Sequence, residues 1–218
     1  MQLSYVAASV PGGWAAMNGA RDDRWGAEPE LGWFAVADAA GPRYGGYHTP
    51  VGIEPALDAF AATLATGAGV LAAVRAADRA ARAQAPTNPY VLVHIGLSLT
   101  ALVLDAVSAC VAQIGSGRAY LLRGGELRLL APDHCLPPPH DSVVSALLGF
   151  GPEPELELPH VAIEPGDRFV LCTDGAWRAG DHVIRRLVEL DDVGLASEVA
   201  ELAARTRDDA TAVVVRVA

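Results

Sequence analysis

Three aspartates in this chain stand where a short run of residues meets a loop. Phe34-Ala35-Val36-Ala37 leads into Asp38, and Phe169-Val170-Leu171-Cys172-Thr173 leads into Asp174-Gly175. Arg207-Asp208-Asp209 precedes the apolar stretch 212–215. An acid at the junction of a buried strand and a loop is held rigidly and still reaches a cleft. Several such acids converging repel one another unless a cation sits between them. Hard divalent ions such as Mg2+ or Mn2+ prefer oxygen ligands of this kind. Taken singly, each aspartate is more simply an ordinary turn residue. Nucleophilic alternatives are weak, because Ser9, Ser98 and Ser116 lack the G-x-S-x-G strand-turn context.

The elements that must position these acids follow from the patterning. Residues 2–9 and 32–37 read as strands, and 54–66 and 70–84 as helices broken apart by Gly67 and Gly69. In the second helix Val70, Leu71, Val74 and Ala77 form an apolar stripe, with Arg75, Asp78, Arg79 and Arg82 largely off it. A β-rich centre follows: 98–104 and 108–114, then 118–123 and 126–130 joined by Gly124-Gly125, a two-residue hairpin signal. Pro137-Pro138-Pro139 stops regular structure. Residues 167–172 form a strand, 182–190 and 195–206 helices, and 211–217 a final strand. This order predicts an α+β fold with antiparallel sheets. No linker divides the chain, so residues 1–218 are expected to form one domain, and no repeat of solenoid period is present.

Composition narrows the function. With 51% hydrophobic and 19% charged residues, the 218-residue chain is not a disordered one. A formal net charge of −10 and a pI near 4.9 argue against a general nucleic-acid or anionic-membrane binder. The opening MQLSYVAASVPGG has no basic region and is not a secretory signal. No stretch reaches the roughly 18 apolar residues of a membrane span. Cys110, Cys135 and Cys172 are scattered and read as reduced thiols. A cytoplasmic location follows by elimination.

The wording and order of the motifs add a resemblance. WFAVADAAGPRYGG is similar to the segment of the metal-dependent type-2C serine/threonine protein phosphatases in which an apolar strand enters D-G-x-G-G-H-x-G-G, with Asp38, Gly41, Gly45 and Gly46 in register. VAQIGSGRAYLLRGGELRLLAPDHCL resembles their V-A-x-V-G-D-S-R-A-Y-L-x-R-x-G-x-L-x-x-L-x-x-D-H-S-L. GDRFVLCTDGAW resembles G-D-x-L-L-L-C-S-D-G-L, and RDDATAVVVRV the closing D-N-I-T-V-V-V-V. The resemblance implies a four-layer αββα sandwich, two stacked antiparallel sheets flanked by helices, with a binuclear Mg2+ or Mn2+ site at one end. Asp38 matches the bridging aspartate, Ala39 the residue whose carbonyl contacts a metal, Asp174 the second metal aspartate and Asp208 the third. Asp209 stands where the family has Asn. Asp22-Asp23 fits the upstream acidic motif, fifteen residues before the bridging position. In that register Arg21 takes the Asn position and Asn18 the place of the phosphate-binding Arg. Arg21, or alternatively Arg24, is the candidate for that role from a shifted loop.

The resemblance further implies hydrolysis of phosphoserine or phosphothreonine by a metal-activated water, on a phosphoprotein made by a serine/threonine kinase. Ser116 replaces the aspartate of a third, weaker metal site, so a third ion is not expected. The segment between His134 and Gly149 is shorter than the usual flap. His134 reads as structural, and His48, His94, His140, His160 and His182 show no ligand spacing. Trp14, Trp25, Trp33 and Trp177 read as core or loop anchors. The rival reading, favoured by Asn18, Ala39 and Ser116, is a weak or inactive pseudophosphatase that binds a phosphoprotein or partner.

Overall fold

A computed structural model of the chain describes residues 2–13, 16, 22–40, 52–84, 96–137, 140, 143–153 and 156–218. In chain order the elements are β1 (Leu3–Val10), β2 (Asp23–Glu28), β3 (Trp33–Ala40), α1 (Ile53–Ala65), α2 (Val70–Ala83), β4 (Gly96–Leu104), β5 (Ser108–Ile114), β6 (Arg118–Arg123) and β7 (Glu126–Leu129). They continue with β8 (His160–Ala162), β9 (Arg168–Cys172), α3 (Asp174–Trp177), α4 (Asp181–Leu187), α5 (Asp192–Thr206) and β10 (Ala210–Val217). Two five-stranded sheets result, ordered β1-β10-β9-β6-β7 and β2-β3-β4-β5-β8, and their pairings are antiparallel.

Strand alternation builds three apolar layers. Phe34, Val36, Leu102 and Val111 of one sheet meet Leu121, Phe169, Leu171, Val213 and Val215 of the other. The opposite parity, Trp33, Ala35, Leu99 and Ala112, packs under Ile53, Phe60, Val74 and Ala77 of α1 and α2. Val170, Cys172 and Val214 face Val183, Leu187, Leu195, Val199 and Leu202 of α4 and α5. The outcome is the expected α+β sandwich with helices outside both sheets. Among the described residues no helix is long and apolar enough to cross a membrane.

The expected hairpin at Gly124-Gly125 is present, with Arg123 paired to Glu126 and both glycines at positive φ (56° and 84°), as a type I′ turn demands. Two strands and one helix lie outside the sequence expectations. β2 carries Gly26 and charged residues and leaves Trp25 exposed, so it lacks an apolar pattern. β8 has three residues and α3 four, each below the length at which periodicity can be read. Asp191 starts α5 earlier than its apolar pattern does, accepting the Gly194 N–H at 2.9 Å.

Candidate metal centre

The side-chain period of two fixes where the acids go. Because Phe34 and Val36 point between the sheets, Asp38 on β3 does the same at the end of the sandwich. Asp23 on β2 is its direct cross-strand partner, so both carboxyls share one face. On the other sheet, Phe169 and Leu171 place Thr173 on the inner side, and Val213 and Val215 place Thr211 there. Thr173 Oγ1 donates to Asp23 Oδ2 at 2.6 Å, and the Thr211 N–H donates to Thr173 Oγ1 at 3.0 Å. A chain of hydrogen bonds thus ties the two sheets together beneath the acids.

Asp174 opens α3 directly after β9, half-buried, with its Oδ2 accepting from Arg178 Nε at 3.1 Å. Asp208 enters after Arg207, which turns the chain at the end of α5 in the left-handed region (φ 61°). Its neighbour Asp209 is 4% exposed and serves as an anchor. Oδ1 accepts the Gly12 N–H at 2.9 Å and Oδ2 the Asp22 N–H at 2.7 Å. Two glycines make these approaches possible: a Cβ on Gly175 would lie 1.9 Å from the Asp209 carbonyl oxygen, and one on Gly12 2.0 Å from that of Asp208. Asp22 is buried beside the site, and its carbonyl accepts the Ala39 N–H at 3.0 Å.

The electrostatics are those of acids forced together. Burial foremost pushes the Asp23 carboxyl up to about 8, aided by the charges of Asp209 and Asp174 and opposed by the Thr173 and Thr211 hydrogen bonds. Asp38 is pushed well above the usual carboxylate range, first by burial and then by Asp23, Asp174 and Asp208. Asp174 is raised by burial and by Asp208, while Arg178 pulls it back. Asp23 Oδ1 is buried and receives no hydrogen bond. An all-oxygen donor set, an orphaned buried acceptor and mutual repulsion fit a hard divalent cation. The carboxylates form a loose cluster: among the described residues no three acidic, His or Cys side chains are already gathered tightly enough to hold an ion.

Asp23, Asp38, Asp174 and Asp208 are therefore brought within mutual electrostatic reach, with Asp22 and Ala39 alongside. Arg21 and Asn18 lie outside the described residues, as do Gly41, Gly45 and Gly46. Ser116 is 2% exposed, its N–H donating to Ser98 Oγ at 3.1 Å and the two hydroxyls 3.2 Å apart. His134 is structural: Nδ1 accepts the Gly115 N–H at 3.2 Å, and its own N–H donates to the Gly115 carbonyl at 2.8 Å. Sequence reasoning missed the anchoring by Asp209, the Thr173–Thr211 tie and the Arg178 contact. Strand parity carries a signal for the threonines, and the i,i+4 spacing of Asp174 and Arg178 carries one for the last.

No protein-family profile matches the chain. Over 153 residues it is 31% identical to the serine/threonine protein phosphatase PstP of Mycobacterium tuberculosis, a match covering 62% of this chain and 29% of that protein, so the chain aligns with under a third of its curated relative. The crystal structure of the M. tuberculosis phosphatase PstP/Ppp superposes with a TM-score of 0.77 at 28% identity, covering 100% of this chain and 99% of the other. The PstP catalytic domain in complex with two manganese ions gives 0.78 at 28% identity, over 98% and 97%. The phosphatase MsPP of Mycobacterium smegmatis, at 23% identity and a TM-score of 0.77 over 99% and 98%, shares the fold. In sequence and in fold the chain is thus similar to the bacterial type-2C (PPM) serine/threonine phosphatases.

Proposed function

We propose that this chain hydrolyses phosphoserine or phosphothreonine in proteins, with two Mg2+ or Mn2+ ions held by Asp38, Asp174 and Asp208 and supported by Asp23, Asp22 and the Ala39 carbonyl. One observation carries this reading. Asp23, buried, and Asp38, partly buried, face each other across β2 and β3 with their carboxyls pushed up, and Asp174 and Asp208 add their charge from the facing sheet. A fold that wanted only stability would separate these acids or pair each one. The PstP catalytic domain, of the same architecture, was crystallised with two manganese ions. Bound divalent ions supply Lewis-acid activation of a water and offset phosphoryl charge.

The chain's own residues do the positioning. Asp38 and Asp23, rigid on paired strands, keep a negative cradle whose spacing the Thr173 and Thr211 tie maintains. Asp209 holds the 208–209 turn against Gly12 and Asp22, which fixes Asp208. Among the described residues, no side chain of the site is suited to attack phosphorus itself. Burial pushes the Cys110, Cys135 and Cys172 thiols up, away from the thiolate form a nucleophile needs. Ser116 is engaged by Ser98, so the reading includes two ions and no third beside Ser116. Arg21 is the proposed phosphate contact of the upstream loop. The substrate would be the product of a serine/threonine kinase, and three cysteines free of disulfides support a reducing, cytoplasmic setting.

The test is hydrolysis of a phosphothreonine peptide by the purified chain with and without Mn2+, beside Asp38→Asn. Metal-dependent release of phosphate that Asp38→Asn abolishes supports the reading. Absence of turnover at millimolar Mn2+, with Mn2+ bound, would leave a phosphoprotein-binding module instead.

A further inference from the structure

The site described above is built from carboxylates, yet its substrate would arrive as an anion. Whatever cations the acids hold, phosphoryl oxygens pointing away from them need donors. A guanidinium already stands there. Arg178, one turn after Asp174, donates its Nε to Asp174 Oδ2 at 3.1 Å and keeps 31% of its side chain exposed. Its place is set by Trp177, whose ring lies under the Arg118 guanidinium at 3.4 Å and beside that of Arg178 at 5.0 Å. Trp177 is itself pinned, Nε1 donating to the Ser116 carbonyl at 2.7 Å, and Arg118 is held by Asp133 at 3.0 Å. Cys135, at the base of the segment that follows β7, lies within electrostatic reach of both Asp174 and Arg178. Arg178 therefore borders the acid cluster on the side of Cys135, which is itself bridged to Val144.

We propose that Arg178 is a second phosphate-positioning residue of this site, beside the upstream-loop Arg21, stored on Asp174 until an anion takes its place; this rests on the phosphatase reading above. The physics of the exchange is simple. Partly exposed i,i+4 ion pairs are weak. A divalent cation on Asp174 weakens the pair further by neutralising the carboxylate. A phosphoryl group offers the guanidinium a better match, because its planar fork of five N–H donors fits two phosphate oxygens at once. The Trp177 platform limits how far the side chain wanders, so little ordering is required when phosphate binds.

The experiment measures inorganic phosphate binding to the Mn2+-loaded full chain by calorimetry, in wild type, Arg178→Ala, Arg178→Lys and Arg21→Ala, with Mn2+ affinity and melting temperature measured for each. Arg178→Ala is expected to weaken phosphate about 10- to 100-fold, the worth of a charge-assisted hydrogen bond. Mn2+ affinity stays equal or tightens, because a competing cation has left Asp174. Arg178→Lys recovers part of the loss, since it restores the charge without the fork. A merely structural role would lower the melting temperature and Mn2+ affinity together with phosphate affinity, and that result overturns the proposal. So does unchanged phosphate affinity in Arg178→Ala, or a loss carried wholly by Arg21→Ala, and both leave the phosphatase reading standing. Wild type that binds no Mn2+ removes that reading, and this one with it.

Discussion

The two ends of β9 treat a buried acid in opposite ways. At its start, Asp167 is 1% exposed and fully satisfied. Arg123 grips it with Nε on Oδ1 and Nη2 on Oδ2, each at 2.7 Å, and the Glu164 N–H donates to Oδ2 at 2.9 Å. Just past its end, Asp174 joins Asp23, Asp38 and Asp208, where burial and like charges push carboxyls up and Asp23 Oδ1 is left without a donor. The chain has the means to neutralise a buried carboxylate and uses them at one end. Leaving four acids within electrostatic reach of one another at the other costs native-state stability, which a cation bound among them would restore.

Breaking the comparison at its acidic end has the largest expected effect. Asp38→Asn is predicted to lower phosphopeptide hydrolysis by about three orders of magnitude, the scale of several kcal/mol of lost electrostatic stabilisation. The same change relieves repulsion, so the metal-free protein should melt higher than wild type while Mn2+ no longer raises its melting temperature. A substitution that lowered both would contradict the contrast drawn here.

At the other end Asp167→Asn should do the reverse. It removes a bidentate ion pair, discounted because Arg123 is a third exposed, and is expected to cost about 2 kcal/mol of stability. Mn2+ affinity should not change. Between the ends, Gly175→Ala forces a Cβ to within 1.9 Å of the Asp209 carbonyl. Overpacking of this kind costs about 1–3 kcal/mol, and displacement of the 208–210 turn should weaken Mn2+ binding as well. Calorimetry and thermal melts of the two variants separate a purely structural loss from one that reaches the site.

The smallest expected effect is a pH dependence. In the folded metal-free chain Asp23 holds its proton up to about 8, whereas unfolding returns it to the ordinary value of 3.8. The folded state therefore binds the extra proton between these values. Its contribution to stability is fully present below the unfolded value and is lost as pH rises through about 8. Metal-free wild type should lose melting temperature relative to Asp23→Asn as pH rises across this window. Saturating Mn2+ should remove that difference in slope, because cation and proton compete for the same oxygens.

Much of the acidic end was legible in the sequence, for a physical reason. Asp38, Asp174 and Asp208 each abut a strand long and apolar enough to read, and strand ends fix side chains. The fifteen-residue spacing from Asp23 to Asp38 corresponds to a β2–β3 hairpin that pairs them directly. The hairpin's first strand was not legible, because DRWGAE shows no alternation and forms an edge. Asp209 was visible as a departure from the family's Asn, but its role depends on Gly12, 197 residues away in sequence, which no local pattern records. The Asp167–Arg123 clamp is likewise a contact across 44 residues, between neighbouring strands β6 and β9.

The most direct test is titration of the metal-free chain with Mn2+ by isothermal calorimetry in buffers of different ionisation enthalpy near neutral pH. If the clustered carboxyls are a cation site, Mn2+ binds and displaces the proton of Asp23, so the apparent heat changes with the buffer. Binding without proton release would contradict the electrostatic account of the cluster, and no binding at millimolar Mn2+ would contradict the claim that these acids hold a metal at all.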